Sequence, residues 1–135
     1  SSISIGELTR SIDTLSEECW EVAGVNRSRL GMQTLLKLTQ KAMSPLEQEA
    51  LLCMVNRQPH QQLLQLEESS RQELNLQLDL THRQRTTALL LEACLFRTES
   101  RGGHFRSDAP CALPHWRRHS RQLRGEGIKT RSVTD

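Results

Sequence analysis

Tyrosine is absent from this 135-residue chain, and Trp20, Phe96, Phe105 and Trp116 are its only aromatic side chains. Isoleucine and valine contribute four residues each, against 22 leucines. Pleated sheets collect β-branched and aromatic side chains, so this balance excludes a β-sandwich and argues for helices. No apolar run approaches the ~20 residues of a membrane span, and no basic, apolar, small-residue order at the front reads as a secretory signal. Glycine nowhere forms Gly-x-Gly-x-x-Gly, Gly-x-x-x-x-Gly-Lys-Ser/Thr or Gly-x-Ser-x-Gly, which removes the recognised nucleotide cradles and the hydrolase elbow. Cys19, Cys53, Cys94 and Cys111 lie far apart with no Cys-x-x-Cys pair. Free thiols in a reducing cytoplasm are the expectation, although spacing alone leaves a disulfide open. The length suits one domain. The Ser-Ser start, without Met, reads as a piece cut from something longer.

What is present is helical periodicity. Ile5, Leu8, Ile12, Leu15, Cys19 and Val22 recur at alternating steps of three and four, which draws one stripe along a helix. Ser4 and Glu7 read as its capping box, and Gly24 as its end. Trp20 flanks the stripe and is expected in the core, where truncation to alanine costs about 3–5 kcal/mol. A second helix fits 27–43, with Asn26 as cap and Met32, Leu35, Leu36, Thr39 and Met43 on one side. Ser44-Pro45-Leu46-Glu47 reads as a fresh helix start, running to about Arg57 and stopping or kinking at Pro59. A short Leu63/Leu64/Leu66 segment follows. Ser70 and Glu73 read as a third capping box opening the longest helix, about 70–100, which Gly102-Gly103 ends. The expected fold is all-α: an up-and-down three-helix bundle over 1–101, spectrin-repeat-like, with a minor helix inserted before the last long one. Residues 102–135 are expected as an irregular basic tail packed on it, with a short helix possible at 112–124.

Charge divides at the same place. Residues 1–96 carry a net −3 and residues 97–135 a net +5. A basic arm suggests phosphate binding, but the arm holds only two aromatics and shows no helix-turn-helix spacing, so nucleic acid is set aside. Cys111, His115 and His119 are spaced by four with His104 near in sequence, yet one Cys and two His in a proline-broken segment match no zinc module. No metal is expected. The dense cluster runs from Arg97 through Glu99, Ser100, Arg101, Gly102-Gly103, His104, Phe105, Arg106 and Asp108 to Pro110, followed by Trp116 and His119-Ser120; Glu99, Arg101, His104, Arg106, Asp108, Trp116 and His119 are its candidate docking residues. Arginine forks pair carboxylates bidentately, so Glu99 and Asp108 are each expected beside an arginine. Two readings stay open: a solvated turn braced by its own ion pairs, or an outward-facing docking surface.

The string Arg97-x-Glu99-Ser100-Arg101-Gly102-x-His104-x-Arg106-x-Asp108-x-Pro110, then Trp116-x-x-His119-Ser120, resembles the C-terminal signature of the L-aspartate oxidase, succinate dehydrogenase and fumarate reductase flavoproteins. Cys19-Trp20 through Gly24 to Arg27-Ser28 is similar to that family's turn between its first two helices. Ala109 replaces the family's usual aromatic, and residues 45–68 match nothing in the pattern. Gly102-Gly103-His104-Phe105-Arg106, the ending Gly127-Ile128-Lys129-Thr130-Arg131 and the lack of an acidic pair at Ala112-Leu113 resemble the oxidase branch. The resemblance implies a cytoplasmic, FAD-dependent parent enzyme whose flavin and catalytic residues lie outside this chain. It implies no catalytic, cofactor-binding or metal residue here. It also implies docking, through 97–119, onto the flavin-binding and capping domains of the same polypeptide.

Overall fold

Among the described residues four helices form and pack their buried sides against one another. The computed structural model describes residues 3–57 and 65–133. Helix α1 (Ile5–Ala23) opens as expected: Glu7 N–H donates to Ser4 Oγ at 3.2 Å, and Ser4 N–H donates to the Glu7 carboxylate at 2.9 Å. Its stripe buries Leu8, Ile12 and Leu15, with Cys19 and Val22 half-buried. Gly24 closes it, and glycine is required there, because a Cβ would stand 2.3 Å from the Trp20 carbonyl oxygen. Helix α2 (Arg29–Glu47) is followed by the short α3 (Ala50–Asn56) and the long α4 (Glu68–Phe96).

The packing fixes the directions. One apolar cluster joins Leu8, Ile12 and Leu15 of α1 to Leu46 of α2, Leu52 of α3 and Leu80 of α4. A second joins Ala23 of α1 to Met32 and Leu35 of α2 and to Leu91 and Cys94 of α4. The start of α1 therefore meets the end of α2 and the first half of α4, so α2 runs against the other two. This is the up-and-down helical bundle. Between the clusters the seam is polar, with Thr39, Thr81, Gln84 and Thr87 all buried. The Gln77 and Gln84 side-chain oxygens lack partners among the described residues. Burying a leucine contributes about 1.5–3 kcal/mol, so the two clusters, not the seam, hold the bundle.

Several local expectations are corrected. Ser28, not Asn26, caps α2, accepting from Gly31 N–H at 3.2 Å. Ser44-Pro45 does not restart a helix. Helix α2 runs through Pro45 to Glu47 because Leu46, 2% exposed, continues its buried stripe, and near a helix end proline forfeits only a terminal bond. Ser70 caps nothing either, since α4 begins two residues earlier at Glu68, behind an N-cap Glu67 that makes no side-chain cap. Helix α4 ends at Phe96 rather than at the Gly102-Gly103 pair. Trp20 is not in the core: it sits off the stripe and is 72% exposed. Pro59, Leu63 and Leu64 lie outside the described residues.

The tail is ordered rather than irregular. After one 3-10 turn (Pro114–Trp116), strand β1 (Arg118–Leu123) pairs antiparallel with β2 (Gly127–Ser132). No α-helix forms over 112–124. Gly125 and Gly127 hold φ of +79° and +70°, left-handed values that suit glycine in a hairpin turn.

Candidate functional site

A helix leaves its first N–H and last C=O groups without partners; Arg106 and Asp108 supply partners at two helix ends, and Arg27, itself held by residues 103–107, supplies one at a third. At the C-terminus of α4, Arg106 Nη1 donates to the carbonyls of Cys94 (3.1 Å), Leu95 (2.9 Å) and Arg97 (3.1 Å). Arg106 is 2% exposed. Its other edge forks onto Asp108, through Nε at 3.2 Å and Nη2 at 2.6 Å. Asp108 in turn accepts the Arg29 N–H at 2.9 Å in the first turn of α2. The cation thus sits at a helix end of negative polarity and its carboxylate at one of positive polarity, so both dipoles favour the pair. Asp108 is held below the ordinary carboxylate range, first by the Arg106 hydrogen bonds.

The third end belongs to α1. Arg27 Nε donates to the Ala23 carbonyl at 2.9 Å, and its Nη1 reaches His104 Nδ1 at 3.1 Å. The backbones join as well, with Arg27 N–H on the Phe105 carbonyl (3.1 Å) and Ser107 N–H on the Arg27 carbonyl (2.8 Å). Guanidinium can only donate, so His104 Nδ1 must be the bare nitrogen and Nε2 carries the proton, donating to the Arg97 carbonyl at 3.2 Å. Burial is the first cause that pushes the His104 pKa down, with Arg27, Arg106 and Arg97 adding repulsion.

Glu99 organises the other side. Its side chain is fully buried and accepts from Arg101 Nε (2.9 Å), Arg101 Nη2 (3.1 Å), Leu113 N–H (2.8 Å) and Arg97 Nη1. These donors, Arg101 first, hold its pKa at about 2. Gly102, at φ +57°, makes the two-residue turn that brings Arg101 and His104 back together. Ser100 Oγ accepts the Arg106 N–H at 2.8 Å. Arg97 extends the network to the hairpin, donating to the Trp116 carbonyl at 2.9 Å and to the Arg118 carbonyl, with its guanidinium 5.3 Å from the Trp116 ring centre. Trp116 also packs edge-on against Phe96 at 5.3 Å.

The structure therefore gathers Glu99, Arg101, His104, Arg106 and Asp108 into one network with Trp116 at its edge. His119 stands apart, exposed on β1. Both carboxylates have the expected arginines. The expectation that the signature faces outward is corrected for Glu99 and Arg106, which are buried; α4 stops short of them and the chain folds back over its open end. The side chain of Arg101 remains 42% exposed. Arg27 is a further member that spacing did not single out, and Arg97 and Ser100 of the dense cluster join the network although neither was a docking candidate. Their only sequence signal was their place beside Gly24 and within the Arg-x-Glu-Ser-Arg string. Cys111, His115 and His119 do not share a helical face, because that segment is a 3-10 turn and a strand. Among the described residues no helix is long and apolar enough to cross a membrane, and no group of three His, Cys, Asp or Glu is set to hold a metal.

Comparison with known proteins bears on the same residues. An L-aspartate oxidase from Nostoc sp. is 30% identical over 106 residues, covering 75% of this chain and 18% of the relative. The chain thus spans less than a fifth of that relative's length. No solved structure matches it. A family model described as the fumarate reductase flavoprotein C-terminus matches residues 12–133, from α1 to the last strand and across the whole signature. A bundle whose three helix ends are tied by that signature belongs to the C-terminal domain family of the fumarate reductase and succinate dehydrogenase flavoproteins.

Proposed function

We propose that this chain is the C-terminal helical domain of a cytoplasmic, FAD-dependent L-aspartate oxidase, which converts L-aspartate to iminoaspartate at the entry to NAD biosynthesis. The observation that carries the reading is the 30% identity to an L-aspartate oxidase. The Gly-Gly-His-Phe-Arg wording of the folded signature supports it. In this reading the FAD is held by other parts of the polypeptide. Among the described residues the two strands form a lone hairpin with no helix crossing between them, and no glycine-rich turn leads from strand to helix to cradle a pyrophosphate. No step of the oxidation is assigned to residues here. The chain alone is inactive in this reading.

Its work is positional. The buried pairs brace one end of the bundle, and that end displays Arg101 and the exposed Phe105, with Val25 on the adjoining α1–α2 turn and Leu30 in the first turn of α2. We assign this end to contact with the flavin-binding and capping parts of the polypeptide. Arg101 is the charged member able to reach across, while Arg106 is spent internally.

The test is turnover by the full-length protein. Flavin absorbance and aspartate-dependent peroxide are expected there, and neither from residues 1–135 alone. Succinate-dependent dye reduction without aspartate oxidation would reassign the domain to a dicarboxylate dehydrogenase. Absence of flavin from the full-length protein would leave a free-standing bundle. Arg101→Ala separates docking from bracing: docking predicts a nearly unchanged isolated domain beside a full-length protein that loses stability or flavin.

A further inference from the structure

The outer face of the β1–β2 hairpin carries Arg121 and Arg131, which pair with no carboxylate among the described residues, beside Lys129, which reaches only Glu126 in the turn. Residues paired across an antiparallel ladder share a face. The register sets Arg121 directly opposite Lys129 and His119 opposite Arg131. All four are exposed, whereas Gln122, Ile128 and Thr130 on the other face are half-buried. Gln122 Nε2 donates to the Leu89 carbonyl of α4 at 3.1 Å, and Arg97 holds the Arg118 carbonyl, so the ribbon is fixed with its basic side outward. Neither strand contains an acidic residue. Glu126 in the turn reaches Lys129 at 3.5 Å, and no ion pair to Arg121 or Arg131 forms among the described residues.

Like charges placed directly opposite destabilise a strand pair. An unaided hairpin gains nothing from Arg121 facing Lys129, and a solvated surface would be better served by a mixed pair. The arrangement becomes favourable once an anionic surface lies across both side chains. We propose that the His119, Arg121, Lys129 and Arg131 face docks on an acidic protein surface of the larger flavoprotein. This rests on the reading that the chain is one domain of such a protein, and the relative, of which the chain covers 18%, leaves ample partner surface. The chemistry of the face selects this partner over others. A membrane would call for apolar anchors, and the strand residues offer only Leu123 on that side. Single-stranded nucleic acid would call for aromatic stacking platforms, and the strands carry neither Phe, Tyr nor Trp.

Charge reversal at Arg121 gives opposite signs in the two contexts. In the 135-residue chain, Arg121→Glu replaces a like pair by an opposite one, and amide exchange over 118–132 is expected to slow. In the full-length protein the same change opposes the partner, so exchange there is expected to speed up and the melting temperature to fall. The drop should shrink in about 1 M salt, where the screening length is about 3 Å. Arg121→Lys should leave both proteins near wild type, and Arg121→Gln should show the full-length loss more weakly. Slower exchange in both contexts would overturn the proposal, because the face would then be simply solvated. So would protection of 118–132 by oligouridylate RNA together with an Arg121→Glu full-length protein that melts normally. The readouts are independent of turnover, so a protein that lacked aspartate oxidation would fail the functional reading without touching this one.

Discussion

Replacing Arg106 by alanine takes the guanidinium from four acceptors: the Cys94 and Leu95 carbonyls at the end of α4 lose its hydrogen bonds, the Arg97 carbonyl is left with His104, and the Asp108 carboxylate is left with the Arg29 N–H. Leaving a buried polar group unpaired costs about 1–3 kcal/mol, and breaking a buried pair by deleting one partner costs about 3–5 kcal/mol. These figures overlap rather than add, because the acceptors share one donor. About 3–5 kcal/mol is the expected loss. Unfolding entropy of about 2.1 cal/mol/K per residue converts this to a fall of roughly 10–18 °C for a domain of this length. Arg106→Lys keeps the charge but not the fork, and so recovers only part of the loss. Urea and thermal melts of the isolated domain, followed by circular dichroism, measure both variants. A loss below about 1 kcal/mol for Arg106→Ala, or a lysine variant as stable as wild type, would refute the capping argument.

Acid should attack the brace through Glu99. Its folded pKa lies near 2, below the unfolded value, so its contribution is complete above about pH 4.3 and is lost as pH falls toward 2; acid titration of Glu99→Gln should show a flatter profile across that window. His104 acts higher up. Its folded pKa is lowered, so its contribution is present above about pH 6.5 and declines as pH falls below that. Proton NMR should find Nδ1 bare at neutral pH, and His104→Gln should remove the pH dependence. Trp20→Ala, on an exposed side chain, should change stability by less than about 1 kcal/mol. Gly24→Ala, which meets the Trp20 carbonyl, should cost about 1–3 kcal/mol; reversing that order would show the α1 terminus misread.

The parts legible in the sequence were those whose cause is local. The α1 stripe and its Ser4–Glu7 box depend on residues three and four apart, and both stand as read. Signals failed where a distant residue decided the outcome. Ser44-Pro45 is a sound local start, yet Leu46 is needed in a core built with Leu8 and Leu80. The glycine pair at 102–103 looked like a helix stop, but α4 is finished by Arg106, whose acceptors lie nine to twelve residues back. The hairpin hid because Arg118–Leu123 shows no apolar alternation; only Ile128 and Thr130 of its partner mark the inner face. Arginine beside each carboxylate was readable from fork chemistry. Burial of Glu99 and Arg106 was not, because it follows from where α4 stops.

The polar seam of Thr39, Thr81, Gln84 and Thr87 lies between the bundle's two apolar clusters, which are therefore expected to unfold as separate units. Apolar contacts do not run continuously from one end of α4 to the other, so local unfolding can begin at the Leu8–Leu46–Leu52 end without disturbing the end tied by Arg27, Arg106 and Asp108. Amide exchange should therefore grade along a single unbroken helix, with the N-terminal half of α4 opening more readily than the half around Leu91 and Cys94. The half that stays closed longest is the one that presents both Arg101 and the basic hairpin.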